Sequence, residues 1–138
     1  MESGGSAAEG LRALNTYLGL SFDDRHEPRW ISEVDGLLRA RYRESVRSGE
    51  IARELGKHRV YVSREYRRFR GRTIADQIRM LRLLDAPRLL RDGLSISTIA
   101  SELGFADQSH FTREFRSRYG VPPRRFVAFV QDPLAAVS

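Results

Sequence analysis

The sequence predicts an all-α protein in which two helix-turn-helix subdomains are joined by a long connecting helix. Three observations carry that reading. From Ile99 to Gly120 an apolar helical face is followed by a glycine stop and a second periodic stripe. Much of that pattern occurs once before, from Ile51 to Gly71. Between the two copies a further helical stripe runs from Thr73 to Arg91.

Taken in order, residues 1–27 form an acidic tail or linker, and residues 1–10 have little to bury. Leu11, Leu14, Tyr17 and Leu18 predict a short helix within 11–20. The first helix-turn-helix subdomain is assigned to 28–72. Pro28 suits the first position of a helix, whose stripe is Trp30, Ile31, Val34, Leu37, Leu38, Tyr42 and Val46. Arg39, Arg41 and Arg43 complement the dipole at its end.

The repeat follows. Ile51, Ala52, Glu54, Leu55 and Gly56 match Ile99, Ala100, Glu102, Leu103 and Gly104 at an offset of 48. Val62, Arg64, Glu65, Tyr66, Arg67 and Gly71 match Phe111, Arg113, Glu114, Phe115, Arg116 and Gly120 at an offset of 49, with Ser63 opposite Thr112. One extra residue therefore sits in the second turn, while both helices keep their length. A duplicated helix-turn-helix has that signature.

The connecting helix is assigned to 73–92. Ile74, Ile78, Leu81, Leu84 and Leu89 supply its apolar side, with Thr73 as cap and Asp76 at the third following position. Pro87 inside it forfeits a backbone hydrogen bond and crowds the carbonyl of Leu83, which predicts a kink or break near 83–86. The second subdomain is assigned to 93–131. Ser95 caps its first helix, Gly104 ends it, and Asp107 caps the second, where Phe111, Phe115 and Tyr119 recur every four residues. Pro122-Pro123 opens a last helix carrying Phe126, Phe129 and Val130, and 132–138 is a tail.

Charge points to a partner. The formal net charge is +6, but residues 1–27 carry −3 and the remainder +9, a basic body suited to a polyanion. Lys57 is the single lysine among 24 basic residues. Arginine's planar fork binds guanine or phosphate at two points. A genome rich in arginine codons gives the same bias, so position has to decide. In the first copy Arg59, Ser63, Arg64 and Arg67 share the side opposite Val62, Tyr66 and Phe69. In the second, Gln108, Ser109, Thr112, Arg113 and Arg116 lie opposite the aromatic stripe. Such side chains reach base edges and phosphates.

Other chemistries lack their motifs. There is no cysteine, no HExxH, no GxGxxG and no GxxxxGK, so no metal, cofactor or enzymatic activity is expected. No apolar run approaches the ~20 residues of a membrane helix. The N-terminus lacks the basic-then-apolar order of a secretory signal, and a cytoplasmic, nucleoid-associated protein is expected.

Ile99-Ala100-Ser101-Glu102-Leu103-Gly104-Phe105, continued through Phe111, Phe115, Gly120 and Pro122-Pro123, resembles the C-terminal signature of AraC/XylS-type transcription regulators. The upstream copy resembles that family's first helix-turn-helix, and Arg82 to Leu90 its connecting helix; the match covers about 28–130. The resemblance implies seven helices and two units presented to successive major grooves of promoter DNA. It implies base contacts from Val60, Ser63 and Arg64 with Arg59 nearby, and from Gln108, Ser109, Thr112 and Arg113, with His110 near the backbone. Val60, being apolar, can touch only a thymine methyl. Recruitment of RNA polymerase as an activator, or its blockage, is likewise implied. Arg47 stands where the family has a cap, Ser48 where it has an apolar residue, and Pro87 is unusual in the connecting helix. Residues 1–27 do not resemble the family's effector or dimerisation domain. Pro28-Arg29-Trp30 resembles an interdomain linker, so of the two alternatives, a free-standing two-unit regulator or the DNA-binding piece of a longer one, the second is expected.

Overall fold

Two apolar clusters, one for each copy of the repeat, organise the computed structural model, which describes residues 26–134. The helix expected within 11–20 lies outside the described residues. Among those described there are seven helices: α1 (Arg29–Arg41), α2 (Ser48–Glu54), α3 (Arg59–Arg70), α4 (Ile74–Arg91), α5 (Ile96–Glu102), α6 (Gln108–Tyr119) and α7 (Pro123–Gln131). Strands are absent from the described residues, so the all-α expectation holds.

The first cluster joins Trp30, Ile31, Val34 and Leu38 of α1 to Ile51 and Ala52 of α2, and to Val62 and Tyr66 of α3. The second joins Ile99 and Ala100 of α5 and Phe111 and Phe115 of α6 to Leu103 and Phe105 of the turn. Each stripe lies at helical spacing, so burial of one face suffices to hold these short helices. The turn between α2 and α3 spans residues 55–58 and that between α5 and α6 spans 103–107, which places the extra residue in the second turn.

Caps mark the starts of the helices. The Thr73 hydroxyl accepts from Asp76 N at 3.0 Å, Ser95 from Thr98 N at 3.1 Å, and the Asp107 carboxylate from His110 N at 2.7 Å. His58 Nδ1 accepts from Val60 N at 3.2 Å. Arg47, at the corresponding position before α2, makes no side-chain cap bond. Pro28 stands one residue before α1 rather than within it. α1 stops at Arg41, so Tyr42 and Val46 pack from the following connection instead of extending the helix.

α4 serves both clusters from different sides. At about 100° per residue, Ile74, Ile78 and Leu81 share one arc, and Leu83, Ala86 and Leu90 share another roughly 140° away. The first set packs in the first cluster and the second set in the second. Leu84, expected on a single apolar side, is therefore 52% exposed. Phe129 and Val130 of α7 are also exposed, whereas Phe126 packs against Phe115 at 5.8 Å. The helix runs unbroken through Pro87. With no N–H at position 87, the Leu83 carbonyl lacks its intrahelical donor, and the Tyr119 hydroxyl donates to it at 2.6 Å.

A polar junction fixes one unit against the other. From α4, Arg82 Nε donates to the Tyr42 carbonyl at 2.6 Å and its Nη2 to the Glu44 carbonyl at 2.9 Å. Its guanidinium lies 5.7 Å from the Phe105 ring centroid. Burial lowers the Arg82 pKa from its ordinary value. Asp85 accepts from the Tyr42 hydroxyl at 2.9 Å, and pairs with Arg43 and Arg88. Burial by itself would raise the Asp85 pKa, but the hydrogen bonds from Arg43, Tyr42 and Arg88 outweigh it and hold the carboxyl below its usual range. Hydrogen bonds from Arg70 and Arg41 similarly lower Glu27 and Glu54.

The sign of the pH dependence follows. A depressed carboxyl contributes its stability above the unfolded pKa, about 3.9 for Asp and 4.3 for Glu, and loses it as pH falls through the lower folded value. Denaturant midpoints should be level from about pH 5 to 8 and fall below about pH 4. Asp85→Asn should be the less stable protein at pH 7, with the gap to the unaltered chain narrowing toward pH 3. A constant gap would remove Asp85 from the acid transition.

Candidate nucleic-acid interface

In α3, burial of Val62 and Tyr66 turns the opposite side outward, and Arg59, Val60, Arg64 and Arg67 are exposed, with Ser63 half-buried. These five side chains line a single groove of about 870 Å³. Its other walls come from Val46, Arg47 and Ser48 before and at the start of α2, and from Thr73 to Ala75 at the start of α4. α3 ends at Gly71, whose φ of 73° is the left-handed conformation that glycine takes cheaply.

In α6, burial of Phe111 and Phe115 exposes Gln108, Ser109, Arg113 and Arg116 and leaves Thr112 half-buried. Gln108 and Thr112 line a groove of about 310 Å³ with Ile96, Pro122, Pro123 and Arg124. His110 is set apart. It is half-buried, its ring stands edge-on to Phe105 at 5.4 Å, and its Nε2 lies 3.8 Å from Glu114. Its Nδ1 is buried without a hydrogen-bond partner among the described residues. A furrow of about 350 Å³ containing His110, Arg79, Arg82 and Glu114 shares Val46, Ala75 and Ile78 with the α3 groove. The surface is thus continuous from the α3 groove to the side of α6.

Ion pairs engage part of the arginine set. Arg41 pairs with Glu54, Arg43 with Asp85, Arg68 with Glu65, Arg70 with Glu27 and Asp35, Arg79 with Asp76, and Arg88 with Asp85 and Asp92. Among the described residues, no carboxylate lies within ion-pair distance of Arg59, Arg67, Arg113 or Arg116. Arg64 has only Glu65 at 3.6 Å and the Tyr61 ring at 5.9 Å, and its side chain is 68% exposed. Of these pairs, those of Arg41, Arg43 and Arg70 tie separate elements together, whereas Arg68–Glu65, Arg79–Asp76 and the Arg88 pairs are local to one helix. The outward faces of α3 and α6 keep uncompensated positive charge, which repels itself until an anion arrives.

Sequence reasoning overlooked four side chains that share these surfaces. Tyr61 is 39% exposed beside Arg64, and its ring meets that of Trp30 in a tilted arrangement with centroids 5.7 Å apart. Arg47 and Arg124 stand on the groove walls, and Arg79 in the furrow. The offsets of 48 and 49 would have shown Arg124 opposite Ala75 and Arg47 opposite Ser95, had the comparison been carried beyond the two recognition helices. Among the described residues, no cluster of potential metal ligands occurs, and no helix is long and apolar enough to cross a membrane.

Comparison with known proteins places these features in company. A family model described as a helix-turn-helix domain matches residues 51–128. The transcriptional activator RhaS of Pectobacterium carotovorum is 31% identical over 109 residues, covering 77% of this chain and 39% of RhaS. The chain thus spans about two fifths of that relative's length. A transcriptional regulator of AraC type from Chromobacterium violaceum superposes with a TM-score of 0.67 at 27% identity, over 75% of this chain and 93% of that one. The DNA-binding domain of AdpA, solved in complex with a target DNA, gives a TM-score of 0.68 at 22% identity, over 75% and 96% of the two chains.

Proposed function

Since the chain belongs to the AraC/XylS-type family of helix-turn-helix transcription regulators, we propose that α3 and α6 enter successive major grooves of one promoter duplex. Arg59, Val60, Ser63, Arg64 and Arg67 meet the first groove, and Gln108, Ser109, Thr112, Arg113 and Arg116 the second, with His110 near the DNA backbone. One observation carries this reading: the repeat-related outer faces of α3 and α6 present Arg59, Arg67, Arg113 and Arg116 with no carboxylate in ion-pair distance among the described residues, and the α3 groove runs into a furrow that reaches the side of α6. The AdpA domain, of the same fold, has been seen on DNA, which supports the same use here.

The mechanism follows from rigidity. α4 is shared by both clusters and tied by Arg82 and Asp85 to the loop after α1, so the two units move as one body. A fixed pair of helices meets grooves about 34 Å apart on straight duplex. Where the two spacings differ the DNA bends, at a cost of roughly 1–6 kcal/mol. Bound protein then recruits or blocks RNA polymerase, in the nucleoid and without catalysis.

Selection from a random duplex pool supplies the site on which this is tested. Arg64→Ala and Arg113→Ala should each weaken binding to the selected duplex by about 1–3 kcal/mol and relax preference at particular, different base pairs. Equal weakening on every sequence would reduce both to phosphate contacts. An affinity indifferent to salt would contradict DNA binding altogether, since counterion release imposes a steep dependence.

A further inference from the structure

The duplication extends to the grooves themselves. Ile96, Gln108 and Thr112 of the second groove stand at the repeat positions of Ser48, Arg59 and Ser63 in the first. Pro122, Pro123 and Arg124 stand at those of Thr73, Ile74 and Ala75. All six residues lining the second groove thus have a counterpart lining the first. Besides Arg59 against Gln108 on the helices themselves, two positions off α3 and α6 differ in charge. The wall that carries Ala75 in the first unit carries Arg124 in the second. The cap position held by Ser95 in the second unit is held by Arg47 in the first.

From this we infer that Arg47 and Arg124 bind DNA backbone phosphates, each from the wall of its groove rather than from the recognition helix. The inference rests on the DNA-binding reading and adds two contacts to it. Both side chains are exposed and, among the described residues, neither has a carboxylate within ion-pair distance. Arg47 stands beside a groove lined by Arg59, Arg64 and Arg67 and by no acidic side chain, where it meets more repulsion than attraction in the free protein. Arg124 brings the one charge among the residues lining the second groove.

Arg47 also stands where a different residue would stabilise the fold. Its backbone, at φ −115° and ψ 144°, has the extended conformation of a helix cap. Glu50 lies three residues on, in the arrangement that a serine would complete as a capping box. Ser95, Thr73 and Asp107 use that position to bind a backbone N–H, and Arg47 does not. The first unit forgoes a cap and presents a cation to its groove.

That trade makes the test sharp, because structure and binding should move in opposite directions. In the full 138-residue chain, Arg47→Ser should raise Tm by roughly 4 °C through the new cap. The same substitution should weaken binding both to the duplex selected from a random pool and to a scrambled duplex of equal length. Its plot of log affinity against log salt should lose about 0.9 in slope, one phosphate's worth. Arg124→Ala, which restores the residue of the first unit, should lose the same slope with Tm unchanged. The selected sequence should be the same for both variants. Unchanged affinity and slope, in a preparation where Arg64→Ala is impaired, would overturn this inference and leave the DNA-binding reading intact. A changed base preference would make these residues base readers and would equally overturn it. Failure of Arg64→Ala and Arg113→Ala to weaken binding would remove the reading and this inference together.

Discussion

Gly104→Ala should destabilise the protein by about 2–5 kcal/mol, and Gly56→Ala by only about 1–2. The two glycines occupy the same place in the repeat, after α5 and after α2, with φ of 84° and 66°. Both substitutions force a side chain into the left-handed region, so that cost is common to them. Their surroundings differ. A Cβ at position 56 meets nothing within 4 Å, whereas one at position 104 falls 2.6 Å from the Arg43 carbonyl oxygen and 3.1 Å from Arg82 Nη2. Arg43 cannot readily withdraw, because Arg82 holds the carbonyls of Tyr42 and Glu44 on either side of it. The extra loss at Gly104 therefore measures the close approach of the two units. Urea unfolding of both variants reads it directly, and equal losses would mean that the units do not meet in this way in solution. Because the same contact sets the spacing of α3 and α6, Gly104→Ala should also weaken binding to a complete site more than to a duplex carrying only one half.

Tyr119→Phe should cost about 1–3 kcal/mol of stability, and most of that loss should disappear when Pro87 is replaced by alanine. The substitution removes the hydroxyl that donates to the Leu83 carbonyl in place of the missing position-87 N–H, in a residue that is only 4% exposed. A buried acceptor left without a donor costs its full desolvation. An alanine in place of Pro87 would bring back a backbone N–H for that carbonyl, so the hydroxyl would no longer be needed. A double-mutant cycle of Tyr119→Phe and Pro87→Ala, followed by chemical denaturation, should give a coupling of roughly 1–2 kcal/mol. Independent effects would show that the Tyr119 bond does not substitute for the one proline forfeits. Burial raises the Tyr119 pKa, so the phenol stays a proton donor across the neutral range.

The recognition helices were legible because their signals are local. The stripes that bury Phe111 and Phe115, or Val62 and Tyr66, are read from residues three and four apart, and the opposite faces follow by elimination. Thr73, Ser95 and Asp107 cap the helices expected from their side chains. Reading Leu84 into the apolar side of α4 failed for a stated reason: that helix feeds two clusters on different sides, and a search for one stripe merges them. The last helix forms where Pro122-Pro123 predicted it and carries Phe126, Phe129 and Val130, the latter two exposed.

What the sequence by itself determined is the set of helices, their duplication and the chemistry of the two outward faces, all consequences of periodicity and capping within a few residues. The tertiary structure alone decided how the two units are held. Tyr42 to Asp85, Arg82 to Tyr42 and Tyr119 to Leu83 join residues 43, 40 and 36 positions apart. No periodicity links such pairs. A freed carbonyl, a bridging guanidinium and a glycine without room for a methyl acquire their meaning only when packing brings distant backbone within hydrogen-bonding reach.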